Sequence, residues 1–235
     1  FQVGQLMSFI TYITQILMSL MMLSMTIMTF SRAEASSDRI LEILNTSVDI
    51  VDSAAAIQKN LLVKQGKVEF KDVYFKYHPK GDKFVLKNIN LVVNAGETVA
   101  IIGATGSSKS TLVQLIPRLY DVSSGHVLID GVDVREYTLP NLRKNLKLVL
   151  QQNELFSGTI KQNLKWGKPD ASDEEIIRAA KDAQAHDFIM SFPEQYDTML
   201  GQGGVNVSGG QKQRLCIARA ILLKPAILIL DDSTS

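Results

Sequence analysis

Hydrophobic residues dominate the first 31 positions of the chain, and no charged residue occurs before Arg32. Apolar residues then recur at helical spacing over 32–45, and from Lys67 their period changes to two. This pattern predicts three parts. They are an apolar helix at 1–31, a helical extension and linker at 32–66, and a separate domain at 67–235.

The apolar part is long enough to cross a membrane, because roughly 20 apolar residues at about 1.5 Å rise span the hydrocarbon core. A secretory signal fits poorly, since no basic residue precedes the apolar run and no small-residue cleavage site follows it. We therefore expect a transmembrane helix. A buried helix of a soluble protein is the alternative.

Polar residues within this helix fall at steps of three, four or seven and therefore share one face. Packing against a neighbouring membrane helix is one interpretation, and lining of a polar translocation pathway is the other. Six of the eight methionines also precede residue 30, and their flexible thioethers suit adaptable binding surfaces as well as simple filling. The polar residues are Ser8, Thr11, Gln15, Ser19, Thr26 and Thr29.

Composition adds two exclusions. The net charge of +1 gives no sign of a nucleic-acid partner. A single cysteine, Cys216, excludes an internal disulfide, and its place in an apolar helical stretch is typical of a small core residue.

Strands and helices alternate from residue 67 onward. Strands are predicted at 67–77 and 84–93 around a turn at 78–83, and a buried strand at 97–103. A helix over 109–120 should bend or stop near Pro117. This alternation favours an α/β domain with a mostly parallel sheet, which binds ligands at its strand ends.

Three further local signals occur later in the chain. An Asp-Gly pair within 126–134 predicts a hairpin. Ser172 and Glu175 have capping-box spacing and start a helix. A buried strand at 226–230 ends in two acidic residues.

A glycine-rich loop follows the strand predicted at 97–103. It is close to the pattern G-x-x-x-x-G-K-[ST], with Ser108 before the lysine. Backbone N–H groups of such a loop bind phosphate oxygens, Lys109 adds charge at the β- and γ-phosphates, and Ser110 places its hydroxyl on Mg²⁺. An ordinary strand–helix turn is the alternative. The expected nucleotide-binding residues here are Gly103, Thr105, Gly106, Ser107, Ser108, Lys109, Ser110 and Thr111.

Two other segments could complete this site. The strand at 226–230 delivers Asp231 to the edge where it can hold Mg²⁺ through water, and Asp232 follows where a water-activating base is needed. Ser208 and Gln211 have capping spacing around two glycines, so a helix start there can bind an anion. Without a ligand, both segments would simply be helix caps.

These motifs together resemble the signature of ATP-binding cassette (ABC) ATPases. The resemblance covers residues 67–235, and the preceding helix resembles the last membrane helix of an ABC exporter half-transporter. It implies a P-loop NTPase fold with a parallel-sheet core, an antiparallel β subdomain and a helical subdomain. The implied function is export of drug-like or lipid substrates, driven by ATP and Mg²⁺.

The resemblance also implies roles for individual residues. Tyr77 would stack on adenine, and Gln151, rather than its neighbour Gln152, would contact Mg²⁺ and water and sense the membrane domain. The loop at 198–204 would touch the coupling helices. Two cassettes would meet head to tail, so that each ATP lies between one phosphate loop and the partner's Ser208, Gly209, Gly210 and Gln211.

The implied partners are a second half-transporter subunit, membrane lipid and the transported small molecule, but not nucleic acid. The implied location is the cell membrane, with the cassette in the cytoplasm.

Three departures from the family pattern qualify these implications. Ser108 replaces a glycine and should weaken ATP binding. Asp232 stands where hydrolysing sites have glutamate, and it is shorter by about 1.5 Å, one C–C bond. Both departures favour the degenerate-site half of a heterodimer. The family's switch histidine and closing strands are not found, so we expect a fragment that does not transport by itself.

Three alternatives remain open. One is a regulatory ATP-binding subunit that hydrolyses little and supplies its SGGQ segment to a partner. The others are a soluble cassette ATPase of the DNA-repair or translation type, and a nonfunctional gene remnant.

Overall fold

The chain divides into two units between Asp49 and Ile50. The computed structural model describes residues 3–78, 81 and 83–231. The first unit is built on one helix, α1 (Val3–Leu44), of 42 residues. The apolar part and the predicted extension are therefore one continuous helix. It is long and apolar enough to cross a membrane, with a mean hydropathy of 1.7 in its best window.

Most serine and threonine hydroxyl groups of α1 donate to backbone carbonyls of the same helix. Thr11, for example, donates to the carbonyl of Met7 at 2.8 Å, and Ser19 donates to that of Gln15 at 2.9 Å. Such bonds remove the need for a polar surrounding. They make the polar face compatible with helix packing, and both interpretations of that face stay open.

The second unit combines three small sheets with short helices. Its elements among the described residues are α2 (Ala54–Lys59), β1 (Val68–Phe75), β2 (Leu86–Val93), α3 (Lys109–Leu115), β3 (Ser124–Ile129), β4 (Val132–Asp133), α4 (Leu139–Lys144), β5 (Leu146–Val149), β6 (Gly158–Thr159), α5 (Ile160–Lys165), α6 (Asp173–Asp182), α7 (His186–Met190), β7 (Met199–Leu200), α8 (Gly209–Ile221) and β8 (Ile227–Leu230).

An antiparallel sheet of order β2-β1-β3-β4 forms one part of the unit. The alternating strands at 67–77 and 84–93 are confirmed as β1 and β2, while the turn between them includes positions outside the described residues. The hairpin is confirmed too. Ile129 pairs with Val132 across Asp130 and Gly131, whose φ angles of 53° and 81° are those of a type I′ turn.

Among the described residues, the predicted parallel sheet is limited to the pair β5–β8, in which Val149 lies opposite Leu230. The strand predicted at 97–103 is wrong: this segment is irregular, and Ile102 is 94% exposed. No strand of the described residues pairs with it, so its backbone has no ladder partner. Strand β8 buries only alternate residues rather than its whole length, so one of its faces is covered and the other is exposed.

Helices divide between two hydrophobic cores. The antiparallel sheet, α3 and the β5–β8 pair share one core, and α5 to α8 build the other. Helix α3 ends before Pro117, as predicted. The capping boxes at Ser172 and Ser208 are both formed. The arrangement matches the expected antiparallel and helical subdomains.

Residues 50–66, here called the connecting segment, belong to the second unit, although the sequence placed them in the extension and linker at 32–66. Ala56 in α2 and Val63 are buried. The carboxylate of Asp130 accepts hydrogen bonds from the four backbone N–H groups of residues 64–67, at 2.8–3.0 Å. The hairpin turn at Asp130 thus fixes the backbone of residues 64–67, which are distant from it in the sequence.

Candidate nucleotide-binding site

The glycine-rich loop runs into α3, whose first three residues are Lys109, Ser110 and Thr111. The ammonium of Lys109 folds back over the loop and donates to the carbonyls of Gly103 at 2.7 Å and Ala104 at 3.1 Å. A Cβ at Gly103 would lie 2.5 Å from the Ser107 hydroxyl oxygen, so a side chain there would force Ser107 to shift. The loop therefore presents a cation at the start of a helix.

Ser108 adopts the left-handed conformation, with φ 66° and ψ 24°. Glycine reaches this region without strain, whereas a residue with a Cβ does not. Ser108 occupies the N-cap position of α3, yet its side chain makes no capping hydrogen bond. The departure noted in the sequence thus falls at a backbone position that favours glycine.

The two residues predicted to hold the metal lie in contact. The Ser110 hydroxyl donates to Asp231 Oδ1 at 3.0 Å, although the residues are 121 positions apart. Asp231 is only 8% exposed, and its N–H donates to the carbonyl of Val149. The β5–β8 pairing therefore fixes the carboxylate beside the phosphate loop.

Hydroxyl and carboxylate oxygens are ligands that Mg²⁺ accepts, so the residues fit this ion. The part of the chain that the structure describes holds no cluster of three or more His, Cys, Asp or Glu. A metal here would thus rest on Ser110, Asp231, water and phosphate oxygens, as Mg²⁺ commonly does.

Gln151 follows β5, and Asp231 follows β8. Because the two strands are parallel and end in register, both residues leave the sheet at one edge. Gln151 and Gln152 are both exposed. Asp232, the predicted base, lies outside the described residues.

Tyr77 stands beside α3. Its hydroxyl lies 2.8 Å from the Thr111 hydroxyl, and its ring meets those of Phe75 and Tyr120 edge on. Tyr77 is 45% exposed. The structure thus brings an accessible aromatic surface next to the phosphate loop.

The segment from Ser208 to Gln211 starts α8. The Gln211 N–H donates to the Ser208 hydroxyl at 3.3 Å, and the Ser208 N–H donates to the Gln211 side-chain carbonyl at 2.9 Å. A Cβ at Gly209 or Gly210 would meet nothing within 4 Å. Within the described ranges, no hydrogen bond or ion pair joins this segment to the phosphate loop. Its open surface therefore stands apart from the site formed by Ser110 and Asp231.

A polar network that sequence reasoning missed holds the chain just after Gln151. Asn163 is 1% exposed; its side-chain oxygen accepts from the Phe156 N–H at 2.9 Å and from Arg219 at 3.1 Å. Burial lowers the pKa of the Arg219 guanidinium, which also donates to the Asn163 backbone carbonyl. The network ties residues 154–156 to α5 and α8. Hydrophobic periodicity does not predict this network, because an asparagine within a helical stretch is expected to lie at the surface.

The same region carries an exposed aromatic pair. Phe156 and Trp166 stack with ring centroids 4.3 Å apart. They line a groove of about 530 Å³ beside the end of β5 and α8. Cys216 also lines this groove, and burial raises the pKa of its thiol. The cysteine is half-buried, whereas its position in the sequence predicted a residue fully in the core.

The phosphate loop, the hydroxyl–carboxylate pair and the capped helix define an ATP-binding domain of the P-loop class. Residues 86–235 match the family described as ABC transporter. The chain belongs to this family. Domains of this kind bind ATP, and Mg²⁺ is their usual companion ion.

Relatives resemble the chain beyond this domain. A Bacillus subtilis (strain 168) protein with the provisional name multidrug export ATP-binding/permease protein YgaD is 48% identical over 233 residues. That match covers 99% of this chain and 40% of the relative. A Staphylococcus aureus (strain COL) protein with a similar provisional name is 47% identical over 196 residues, covering 83% of this chain and 33% of its own length.

A solved structure, described as a bacterial Atm1-family ABC exporter with ATP bound, matches with a TM-score of 0.78 and 37% identity. The match covers 99% of this chain and 40% of the exporter chain. The present chain thus spans about 40% of the length of the relative YgaD and of this exporter chain.

Proposed function

We propose that the chain is part of an ABC exporter subunit, which binds MgATP and couples its hydrolysis to export of drug-like or lipid substrates. The observation that carries this proposal is the contact between Ser110 and Asp231 at the end of the phosphate loop. The long apolar helix α1 and the names of the relatives support the exporter assignment over a soluble cassette ATPase.

Each residue of the site has a distinct role in this proposal. Lys109 neutralises the β- and γ-phosphates, and the backbone N–H groups of the loop orient them. Ser110 and Asp231 hold Mg²⁺, which supplies charge neutralisation of the phosphates when bound. Gln151, at the same sheet edge, orients water and responds to the membrane domain.

We further propose that the working unit is a dimer, in which the Ser208–Gln211 segment of this chain closes the partner's ATP site. Two facts support this arrangement. The helix start is open, because a Cβ at either of its two glycines would meet nothing within 4 Å, and among the described residues it makes no polar contact with the chain's own phosphate loop.

A heterodimer is favoured over a homodimer by the two substitutions in this chain's own site. Ser108 holds a left-handed conformation that disfavours a side chain. Asp232, argued from the sequence alone, reaches about 1.5 Å less far than glutamate toward an attacking water. This chain's site would then bind ATP weakly and hydrolyse it slowly, while its partner's site turns over.

The test of nucleotide binding uses calorimetry with ATP, in the presence and absence of Mg²⁺, on the protein purified in detergent. Ser110→Ala and Asp231→Asn should each abolish the gain in affinity that Mg²⁺ provides. Asp182→Asn, which removes an exposed carboxylate from α6, is the matched control and should retain the gain. If both site variants keep the full magnesium effect, the proposed site is wrong.

A second candidate function is a regulatory ATP-binding subunit with little hydrolysis of its own, and the conformation of Ser108 favours it. ATP turnover by the protein alone distinguishes the two. Low turnover that rises in an Asp232→Glu, Ser108→Gly double variant supports the degenerate site. Robust turnover by the unmodified protein as a homodimer excludes both the heterodimer and the regulatory subunit.

A further inference from the structure

The connecting segment contacts the beginning of both strands of the parallel pair. Asn145 directly precedes β5, and its side-chain amide donates to the carbonyl of Val63 at 2.8 Å. Ala226 directly precedes β8, and a Cβ at Gly66 would lie 2.6 Å from its carbonyl oxygen. Val63 and Gly66 are both buried. The segment therefore meets both strands through residues that are closed off from solvent.

The same two strands end at the candidate magnesium site. Their ladder begins where the Ile227 N–H donates to the Asn145 carbonyl at 3.1 Å. It ends where the Asp231 N–H donates to the Val149 carbonyl at 2.9 Å. Among the described residues this sheet has two strands and four residue pairs. Asn145 thus binds the connecting segment through its side chain and β8 through its backbone.

The register of β5 and β8 decides where the Asp231 carboxylate points. Successive strand residues face opposite sides and advance by about 3.3 Å, so a slip of one position would turn this carboxylate away from Ser110. The contact of 3.0 Å between the Ser110 hydroxyl and Asp231 Oδ1 would then be lost. Because all pairs of a ladder slip together, a contact at its beginning restricts the slip at its end.

We propose that Asn145 is a positioning residue, through which the connecting segment fixes the register of β5 and β8 and with it the geometry of the magnesium site. This inference rests on the proposed function. It adds regulation of the site by residues that precede the matched ABC domain, 86–235. By linkage, Mg²⁺ bound at Asp231 must strengthen the contact between Asn145 and Val63 by the same factor as that contact strengthens Mg²⁺ binding.

Calorimetry with ATP, with and without Mg²⁺, tests this on the protein purified in detergent. Asn145→Ala removes the side-chain contact, and the φ of −100° at this position is open to alanine. The gain in ATP affinity that Mg²⁺ provides should shrink by about twofold to tenfold, the factor that one neutral hydrogen bond represents. ATP affinity without Mg²⁺ should stay at the wild-type value, because the phosphate loop does not belong to the β5–β8 ladder.

Asn141→Ala is the matched control. Asn141 lies in α4, and its amide also donates to the connecting segment, at the Asn60 side chain 2.8 Å away. This contact joins the segment to the helix and not to the beginning of a strand. Its loss should leave the magnesium gain at the wild-type value.

Two glycine variants repeat the test from the side of β8. Gly66 and Gly96 have similar positive φ angles, 84° and 77°, so alanine is strained at both. A Cβ at Gly66 would press on Ala226, whereas a Cβ at Gly96 would meet nothing within 4 Å. Gly66→Ala should therefore reduce the magnesium gain, and Gly96→Ala should retain it.

Amide hydrogen exchange at residues 64–67 gives the reciprocal measurement. In the wild type and in Asn141→Ala, MgATP should slow this exchange more than ATP alone does. In Asn145→Ala, MgATP and ATP should slow it equally. A merely structural role of Asn145 would lower Tm and leave the magnesium-dependent difference in place.

Three results would overturn the inference. These are an unchanged magnesium gain in Asn145→Ala, an equal loss of ATP affinity with and without Mg²⁺ in that variant, and an equally reduced gain in Asn141→Ala. If the wild type shows no magnesium gain, the proposed function fails and this inference fails with it. If the wild type shows the gain and Asn145→Ala keeps all of it, only the role of Asn145 is refuted.

Discussion

Replacing Ser108 by glycine should stabilise the protein and strengthen nucleotide binding at the same time. Ser108 has φ 66° and ψ 24°, a left-handed conformation that costs an L-residue about 1–2 kcal/mol. Glycine removes this cost but loses about 0.5–1 kcal/mol through its greater freedom in the unfolded chain. The net gain should be about 0.5–1 kcal/mol, or roughly 1–4 °C in Tm.

Nucleotide affinity should rise for a separate reason. Without a Cβ, the loop backbone approaches the phosphates more closely, and a hydrogen bond from an N–H to a charged oxygen contributes about 1.5–3 kcal/mol. Recovery of part of one such bond corresponds to about threefold to tenfold tighter binding. Differential scanning calorimetry and titration with MgATP measure the two effects on the same preparation.

Ser107→Gly is the matched control, because Ser107 is in the same loop but has no positive φ. It should lower the free energy of unfolding by about 0.5–1 kcal/mol, the opposite sign to Ser108→Gly. If Ser108→Gly lowers Tm, the left-handed strain is not a real cost. If it raises Tm and leaves affinity unchanged, serine is tolerated by the phosphates, and Asp232 becomes the main reason to expect a weak site.

Three further predictions concern stability. Burial alone would raise the pKa of Asp133, but hydrogen bonds from Arg135 and His126 outweigh it and hold the pKa at about 2, below its usual 3.8. Because the folded-state pKa is lowered, Asp133 contributes stability that is present above about pH 4 and is lost as the pH falls toward 2. In acid unfolding, Asp133→Asn should therefore remove about 1–2 kcal/mol of the pH-dependent free energy of unfolding. Asp130→Asn keeps the left-handed turn but leaves part of the connecting segment unpaired, so the free energy of unfolding in urea should fall by about 1–2 kcal/mol. Amide exchange at residues 64–67 should become faster. Unchanged exchange would contradict the role of the Asp130 carboxylate as a clamp on these four N–H groups. Asn163→Ala leaves several buried hydrogen-bond partners unpaired and should lower the free energy of unfolding by about 2–4 kcal/mol, measured by calorimetry. A loss below about 0.5 kcal/mol would show that water replaces the amide.

Local signals predicted the fold best. The capping boxes at Ser172 and Ser208, the end of α3 before Pro117 and the type I′ hairpin all depend on residues within a few positions of one another. Such signals act through the backbone next to them, so the sequence contains the whole interaction.

Apolar runs were a poorer guide. The segments at 97–103 and 226–230 have the same near-continuous apolar pattern, yet only the second forms a strand, since β5 supplies it with hydrogen bonds. Apolar patterning reports which segments can be buried but not whether a partner edge is at hand.

The candidate site was predictable to the extent that its motifs are contiguous. The phosphate loop and its pairing with Asp231 follow from motif and strand order. The contact of Tyr77 with Thr111 and the network around Asn163 join positions far apart in sequence, and no periodicity encodes such pairs. Their discovery required the tertiary arrangement.

The clamp at Asp130 has a mechanical consequence. A pulling force that enters the second unit at residue 50 travels along the connecting segment and meets one carboxylate gripping four consecutive amides. The four hydrogen bonds end on one carboxylate, so they bear the force together and we expect them to break together. The hydrogen bonds of a hairpin pulled apart from its end break one after another. This clamp precedes β1 in the chain, so the force reaches the antiparallel sheet only after the clamp breaks. Residues 50–66 should therefore behave under tension as a stiff coupling and not as a slack tether.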